Sequence, residues 1–193
     1  MKNIPLIITS LLIFILTGCS SSKGVSYGDP QKVETLTIEF GSTDLNTVAE
    51  TMAFSLGQSS VIANAPTPQI VTLAEIKNKT REYIDTRAIT AKIRTALTKT
   101  GRVKFAVSID EMSSQTDELE RQNQSGLYSE SSVNQLGGME AAKFRLEGSV
   151  TSIVKQTKDV KDVYYLFNLT LVDNQTGLVE WADEKEIRKV ENR

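Results

Sequence analysis

Apolar residues recur along the chain with two periods. Leu45, Val48, Ala49, Met52 and Leu56 fall three and four apart, the spacing that lines one face of a helix. Ser42 or Thr43 is placed to cap its first amides and Gly57 to end it. The same period returns at Ile89, Ile93, Ala96 and Leu97, predicting a second helix from about Thr86 with Asp85 as cap and Gly101 as stop. In the last third strict alternation takes over, first at Phe144, Leu146, Gly148 and Val150, then at Val163, Tyr165, Phe167, Leu169 and Leu171, then at Val179 and Trp181. With the turn-like segments TKDVKD and DNQTG between them, these read as a three-stranded antiparallel meander, one face on helices and the other partly solvated.

Elsewhere the pattern is weaker. Gln69 to Ile76 is rich in Ile, Val, Thr and Leu, as a buried strand would be, and Val103 to Ile109 reads as another strand. Ser113 to Gln124 has polar helical character and runs into a Ser/Asn/Gly-rich loop through Gly138. Val33 to Phe40 is β-prone and reads either as a strand or as an extended arm. The sum is an α+β fold: a small sheet with a C-terminal antiparallel three-stranded meander, packed by two or three helices, in a single domain over 33–193.

The N-terminus follows another rule. After Lys2, a mostly apolar run from Ile4 to Leu16 covers 13 residues. A spanning helix needs about 17 to 25, so the run has the proportions of a secretory signal over 1–18. Leu16-Thr17-Gly18-Cys19 resembles the bacterial lipoprotein signal, with Cys19 as the lipidated residue and Leu16, Thr17 and Gly18 as the processing residues before it. Cys19 is the sole cysteine; once acylated it cannot find an unwanted disulfide partner in an oxidising compartment. Ser20 rather than Asp follows it, which for such lipoproteins implies sorting to the outer membrane, anchored on the periplasmic side. Residues 19–32 then form the lipidated cysteine and a short flexible tether, whose 13 residues from Ser20 reach about 45 Å fully extended.

Charge and composition narrow the chemistry. The net charge is −2, which offers no bulk basic footprint for nucleic acid. Histidine is absent, removing the commonest general base and metal ligand. Ser20-x-x-Lys23, Ser132-x-Asn134 and Lys99-Thr100-Gly101 match the three short motifs of serine acyl-enzymes. Their context refuses that chemistry: the Ser-Lys pair sits in the tether, and Lys99-Thr100-Gly101 ends a helix. Asp117, Glu118 and Glu120 read as a solvated helix face, because neighbouring helical carboxylates point in different directions. Glu147 falls opposite the apolar face of its strand. No catalytic residue, metal ligand or cofactor is therefore expected, and the chain does not read as an enzyme.

The informative polar stretch is IKNKTREYID at 76–85, between a strand and a helix. Loops on a rigid scaffold carry function disproportionately. Asn78 and Thr80 are suited to close an ordinary turn, and Tyr83 to pack on the core; equally, Asn78, Thr80, Arg81 and Tyr83 are candidates for a partner interface. Trp181, the only tryptophan, is a core residue by its alternation and a partner contact by its type.

Taken in order, TDLNTVAETM at 43–52, IKNKTREYIDTRAITAKIRTAL at 76–97, GRVKF at 101–105 and QTGLVEW at 175–181 resemble the LpoB family, outer-membrane lipoproteins that activate bifunctional penicillin-binding proteins. The resemblance implies a small α+β domain that works by docking on such a glycosyltransferase-transpeptidase in peptidoglycan synthesis, with no cofactor. The alternative is a structural lipoprotein of an envelope secretion or assembly complex.

Overall fold

The computed structural model describes residues 25–193 apart from 31, 35 and 108. The signal segment, Cys19 with its processing residues, and Ser20 and Lys23 lie outside the described residues. The chain divides into two units, 1–32 and 33–193. In the first, Val25 and Tyr27 are fully exposed and the Lys32 amide donates to the Asp29 carbonyl.

In the second unit, helix α1 spans Ser42–Gln58 and buries Val48, Ala49, Met52, Ala53 and Leu56, the face given by its periodicity. Its cap differs from the expectation on Ser42 or Thr43. Both lie inside the helix, and Gly41, with extended backbone, stands at the N-cap with no side chain to offer. Carboxylates serve instead: Asp44 accepts the Gly41 amide at 2.8 Å, and Glu34, from the arm before the helix, accepts the Thr43 amide at 3.1 Å and the Ser42 hydroxyl at 2.8 Å. Negative charge there also suits the helix dipole. The Ser42 hydroxyl, then the Thr43 amide, hold the Glu34 carboxyl below its ordinary value of 4.5. Because the folded value is the lower one, the Glu34 contribution is full above the ordinary value and is lost as pH falls through the folded value. In an NMR acid titration the Thr43 amide is expected to report a midpoint below 4.5; a midpoint at or above it would contradict the cap.

A four-residue helix, α2 (Ser60–Ala63), follows. Strand β1 (Gln69–Leu73) pairs in parallel with β3 (Val103–Phe105) on one side and β4 (Phe144–Gln156) on the other. The expected strand to Ile76 is broken. Leu73 pairs Leu146, and pairing resumes at β2 (Lys77–Asn78), with Lys77 opposite Ser149. The first strand thus carries one more residue than β4 over this interval, a bulge that turns Ile76 into the core at 1% exposure and delivers the 79–85 loop beside β4. Helix α3 (Thr86–Lys99) opens on Asp85, whose carboxylate accepts the Arg87 and Ala88 amides, and buries Ile89, Ile93 and Leu97. Its C-cap is Thr100, and Gly101 takes a φ of +69° to reverse the chain. Strand β3 is shorter than the expected 103–109, and helix α4 (Ile109–Gln124) begins before Ser113.

The meander is present as expected, and its strands are long. β4, β5 (Val160–Asp173) and β6 (Val179–Asn192) are antiparallel neighbours of 13, 14 and 14 residues. The sheet has six strands in the order β3-β1-β4-β5-β6, with β2 on β4. Strands of this length extend about 45 Å, whereas the 17 residues of α1 extend about 25 Å. The core of Phe144, Leu146, Val150, Val163, Tyr165, Phe167, Leu169 and Leu171 fills against α1 and α3. Beyond it, Val154 shares the inner parity of Val150 and yet is 47% exposed. The outer face is polar, with pairs such as Arg145–Glu147 at 3.0 Å and Arg188–Asp162 at 2.6 Å.

Candidate functional site

The loop after β2 is built by its own polar side chains. Asn78 Oδ1 accepts from the Thr80 amide at 2.9 Å and from its hydroxyl at 2.8 Å, and Asn78 Nδ2 donates to the Glu82 carbonyl at 3.0 Å. Asn78 and Thr80 therefore spend their polar atoms on the turn. The next four residues alternate. Arg81 and Tyr83 point to solvent, Tyr83 at 92% exposure, while Glu82 turns inward and Ile84 is buried at 6%. The core-packing option for Tyr83 is thereby excluded.

Glu82 is the residue that pattern reading passed over. Its carboxylate accepts the Phe40 amide at 3.0 Å and the Tyr165 hydroxyl at 3.0 Å from both oxygens. The same hydroxyl lies 3.2 Å from the Ile38 carbonyl, and the Phe40 ring meets the Tyr165 ring edge-on, 5.6 Å between centroids. Burial, reinforced by the Glu82 carboxylate, pushes the Tyr165 hydroxyl above the ordinary tyrosine value, so it remains a donor at every physiological pH. Lys189 of β6 pairs Asp44 and donates to the Glu39 carbonyl. Segment 33–40 is thus an arm laid on the domain rather than a strand of the sheet. The available signal was parity: Ile84 must face in, so Glu82 does too.

Trp181 lies elsewhere. It is half-buried against the core, opposite Leu171, whereas the arm and loop meet β5 near Val163 and Tyr165 at the strand's other end. The structure therefore brings Arg81 and Tyr83 together and leaves Trp181 apart.

Of the three acyl-enzyme motifs, Ser132-x-Asn134 and Lys99-Thr100-Gly101 lie among the described residues, and each serves its own local structure. Ser132 bonds to Ser129, Asn134 bonds to Gln122 and Asn123, and Lys99 with Thr100 closes α3. Glu118 forms a bidentate pair with Arg121 and accepts from Gln122 at 2.9 Å, the behaviour of a solvated helix face. Among the described residues no group of three or more His, Cys, Asp or Glu side chains could hold a metal ion, and no helix is long and apolar enough to cross a membrane.

These features define an α+β domain whose candidate contact residues stand on one polar turn, braced from behind by Glu82. The chain belongs to the LpoB family: the family model, described as peptidoglycan-synthase activator LpoB, matches residues 44–187. It is similar to the solved LpoB C-terminal domain from Salmonella enterica, at 13% identity over 75% of this chain and 98% of that chain with a TM-score of 0.44. For the LpoB C-terminal domain from Escherichia coli the identity is 15%, the coverage 75% and 98%, and the TM-score 0.44. The crystal structure of lipoprotein GNA1162 from Neisseria meningitidis is similar at 18% identity over 64% and 84%, with a TM-score of 0.39. Among curated proteins no sequence matches the chain.

Proposed function

We propose that the chain is a periplasm-facing outer-membrane lipoprotein, anchored through acylated Cys19, whose domain binds and stimulates a bifunctional penicillin-binding protein in peptidoglycan synthesis. The observation that carries this reading is the family match over 44–187, which includes most of α1, the 79–85 loop and most of the meander. The domain acts as a noncatalytic ligand. It binds a competent conformation of the glycosyltransferase-transpeptidase more tightly than the resting one, and each factor of ten in the population ratio needs about 1.4 kcal/mol of differential affinity. Arg81 and Tyr83 are the contact residues, since a guanidinium and an aromatic ring on a braced turn are the types that dominate interfaces. Asn78 and Thr80 hold the turn, and Trp181 is left to packing.

The test is synthase turnover with the mature chain at saturation. Arg81→Ala and Tyr83→Ala are each expected to weaken binding about tenfold or more, in the range of interface hot spots. Melting temperatures should be unchanged, because both side chains stand in solvent. Full stimulation by the double variant would remove the loop from the mechanism; no stimulation by the wild type would remove the activator role. Separately, Cys19→Ser is expected to abolish fatty-acid labelling and outer-membrane fractionation while the domain folds normally. Unlabelled wild-type protein would end the anchor reading.

A further inference from the structure

The chain separates its charges. Residues 86–104, α3 and most of β3, carry six basic and no acidic side chains, whereas residues 111–142, most of α4 and the loop after it, carry six acidic and one basic. The acidic block is a limb with its own internal order. Arg121 pairs with Glu118 and donates to the Tyr128 hydroxyl, and its guanidinium lies 5.2 Å from the centre of that ring. Asn123 donates to the Asn134 carbonyl and the Asn134 amide to Gln122, so the loop is clasped to the helix. Yet none of residues 111–142 is buried, and Leu127 and Leu136 stand 77% and 60% exposed. The limb's one cation is spent on Glu118, which leaves Asp117, Glu120, Glu130 and Glu140 without ion pairs. Among the described residues, the only ion pair between the two blocks is Arg94–Glu111, at 3.7 Å. An ordered element with unburied apolar side chains and one sign of charge is suited to a surface of the opposite sign.

Such a surface lies on the helices. Between α1 and α3 runs a groove of about 340 Å³ lined by Ala49, Ala91 and Ala96, with Lys92 and Lys99 on its rim and Glu50 as its one acid. Just past Lys99 stands Arg102, which donates to the neutral Ala63 carbonyl and so keeps its charge. Neither lysine has an ion pair. The carboxylates of Glu34 and Asp85 are held at the opposite end, on the first turns of α1 and α3. Three cations therefore face one acid at the groove. Among the described residues none of the chain's own limb lines it, so within one copy the acidic limb and the basic groove do not meet.

We propose that the groove receives the limb of a second copy, reciprocally, so that each of two copies lays its limb across the α3 of the other. A leucine of the limb seats over Ala49 and Ala96, and limb carboxylates meet Lys92, Lys99 and Arg102. Both halves of the contact are carried by one chain, and a two-fold pair of this kind closes on itself. The opposite charges speed the encounter and fix which surfaces meet. This contact does not rest on the activator reading.

The experiment is sedimentation of the mature chain at concentrations up to about 1 mM, in about 50 and 500 mM salt, where screening lengths are about 14 and 4 Å. The wild type is expected to form a dimer whose dissociation constant rises about tenfold or more at the higher salt. Lys92→Glu/Lys99→Glu and Asp117→Lys/Glu120→Lys should each weaken it about tenfold or more at the lower salt. An equimolar mixture of the two variants should associate again, since each supplies the surface that the other lacks. Melting temperatures should be unchanged, because all four side chains are exposed and without ion pairs in a single copy. A wild type that stays monomeric throughout overturns the proposal, as does a dimer indifferent to both variants or a mixture that fails to associate. If the wild type is monomeric and Asp117→Lys/Glu120→Lys abolishes stimulation of the synthase, the limb belongs to that partner; the self-contact then falls and the activator reading stands.

Discussion

Gly148→Val is expected to destabilise the domain by about 3 to 5 kcal/mol, the range of the most damaging core substitutions. A Cβ at Gly148 would sit 2.2 Å from the Asn168 carbonyl oxygen and 3.0 Å from Leu169 Cδ1. The first contact is with backbone, so no side-chain rotation relieves it. Gly148 pairs with Leu169 within the 13-pair ladder that joins β4 to β5, and its neighbour Ser149 already departs from a simple ladder, its amide donating to Asn168 Oδ1 at 2.9 Å. Inserting a side chain must push β4 and β5 apart at the middle of the sheet, where Leu146, Val150, Phe167 and Leu169 are buried on the inner face. Ordinary domains have about 5 to 15 kcal/mol in total. For a chain of this size a melting temperature lower by about 10 °C or more is therefore expected, with Gly148→Ala in between. Gly57→Ala in α1 serves as control, because a Cβ there meets nothing within 4 Å; it should stabilise by about 0.5 to 1 kcal/mol. If Gly148→Val melts with the wild type, the steric argument is wrong.

What could be read from the sequence depended on whether a residue's partner was local. α1 and α3 run over 42–58 and 86–99, close to their predicted limits, because an apolar stripe and its stop signal lie within one segment. The meander was legible for the same reason. The C-terminal half of β6 was not, since its inward positions include Asp183, Lys185 and Lys189, which look like surface residues. Asp183 is met by the hydroxyl of Ser55 and Lys189 by Asp44, both on α1 and far away in sequence. Strand β2, two residues long after a bulge, has no period to detect. In the candidate site, Arg81 and Tyr83 were visible by residue type. Glu82 was hidden because its function is relational: an acid in a polar loop acquires meaning only when Tyr165 and Phe40 arrive from opposite ends of the chain.

That relation leads to the second large effect, expected for Glu82→Ala. Removing the carboxylate leaves the Phe40 amide without its acceptor and takes from Tyr165 the stronger of its two, with the tyrosine ring itself only 2% exposed. An orphaned donor in such surroundings costs about 1 to 3 kcal/mol, so a loss of about 2 to 4 kcal/mol is expected. It should be local before it is global. The inner core of α1, α3 and the sheet keeps its contacts, whereas the arm retains the Glu34 cap, the Lys189 bond to Glu39, a weaker bond from Tyr165 to Ile38 and the ring contact of Phe40. Hydrogen exchange should show loss of protection at Phe40, and limited proteolysis should cut within 33–40, while amides of β5 remain protected. Glu82→Gln should fall between, since an amide oxygen still accepts one of the two donors. If residues 20–32 are the tether of a lipid anchor, release of the arm would add eight residues of chain, about 26 to 29 Å of extension, to its extended reach of about 45 Å. Under the activator reading, Glu82→Ala should then weaken stimulation in the isolated system, where the turn has lost the arm behind it, and lose less in the intact envelope, where reach also counts. An arm that stays protected in Glu82→Ala would show that Glu34 and Lys189 suffice to hold it.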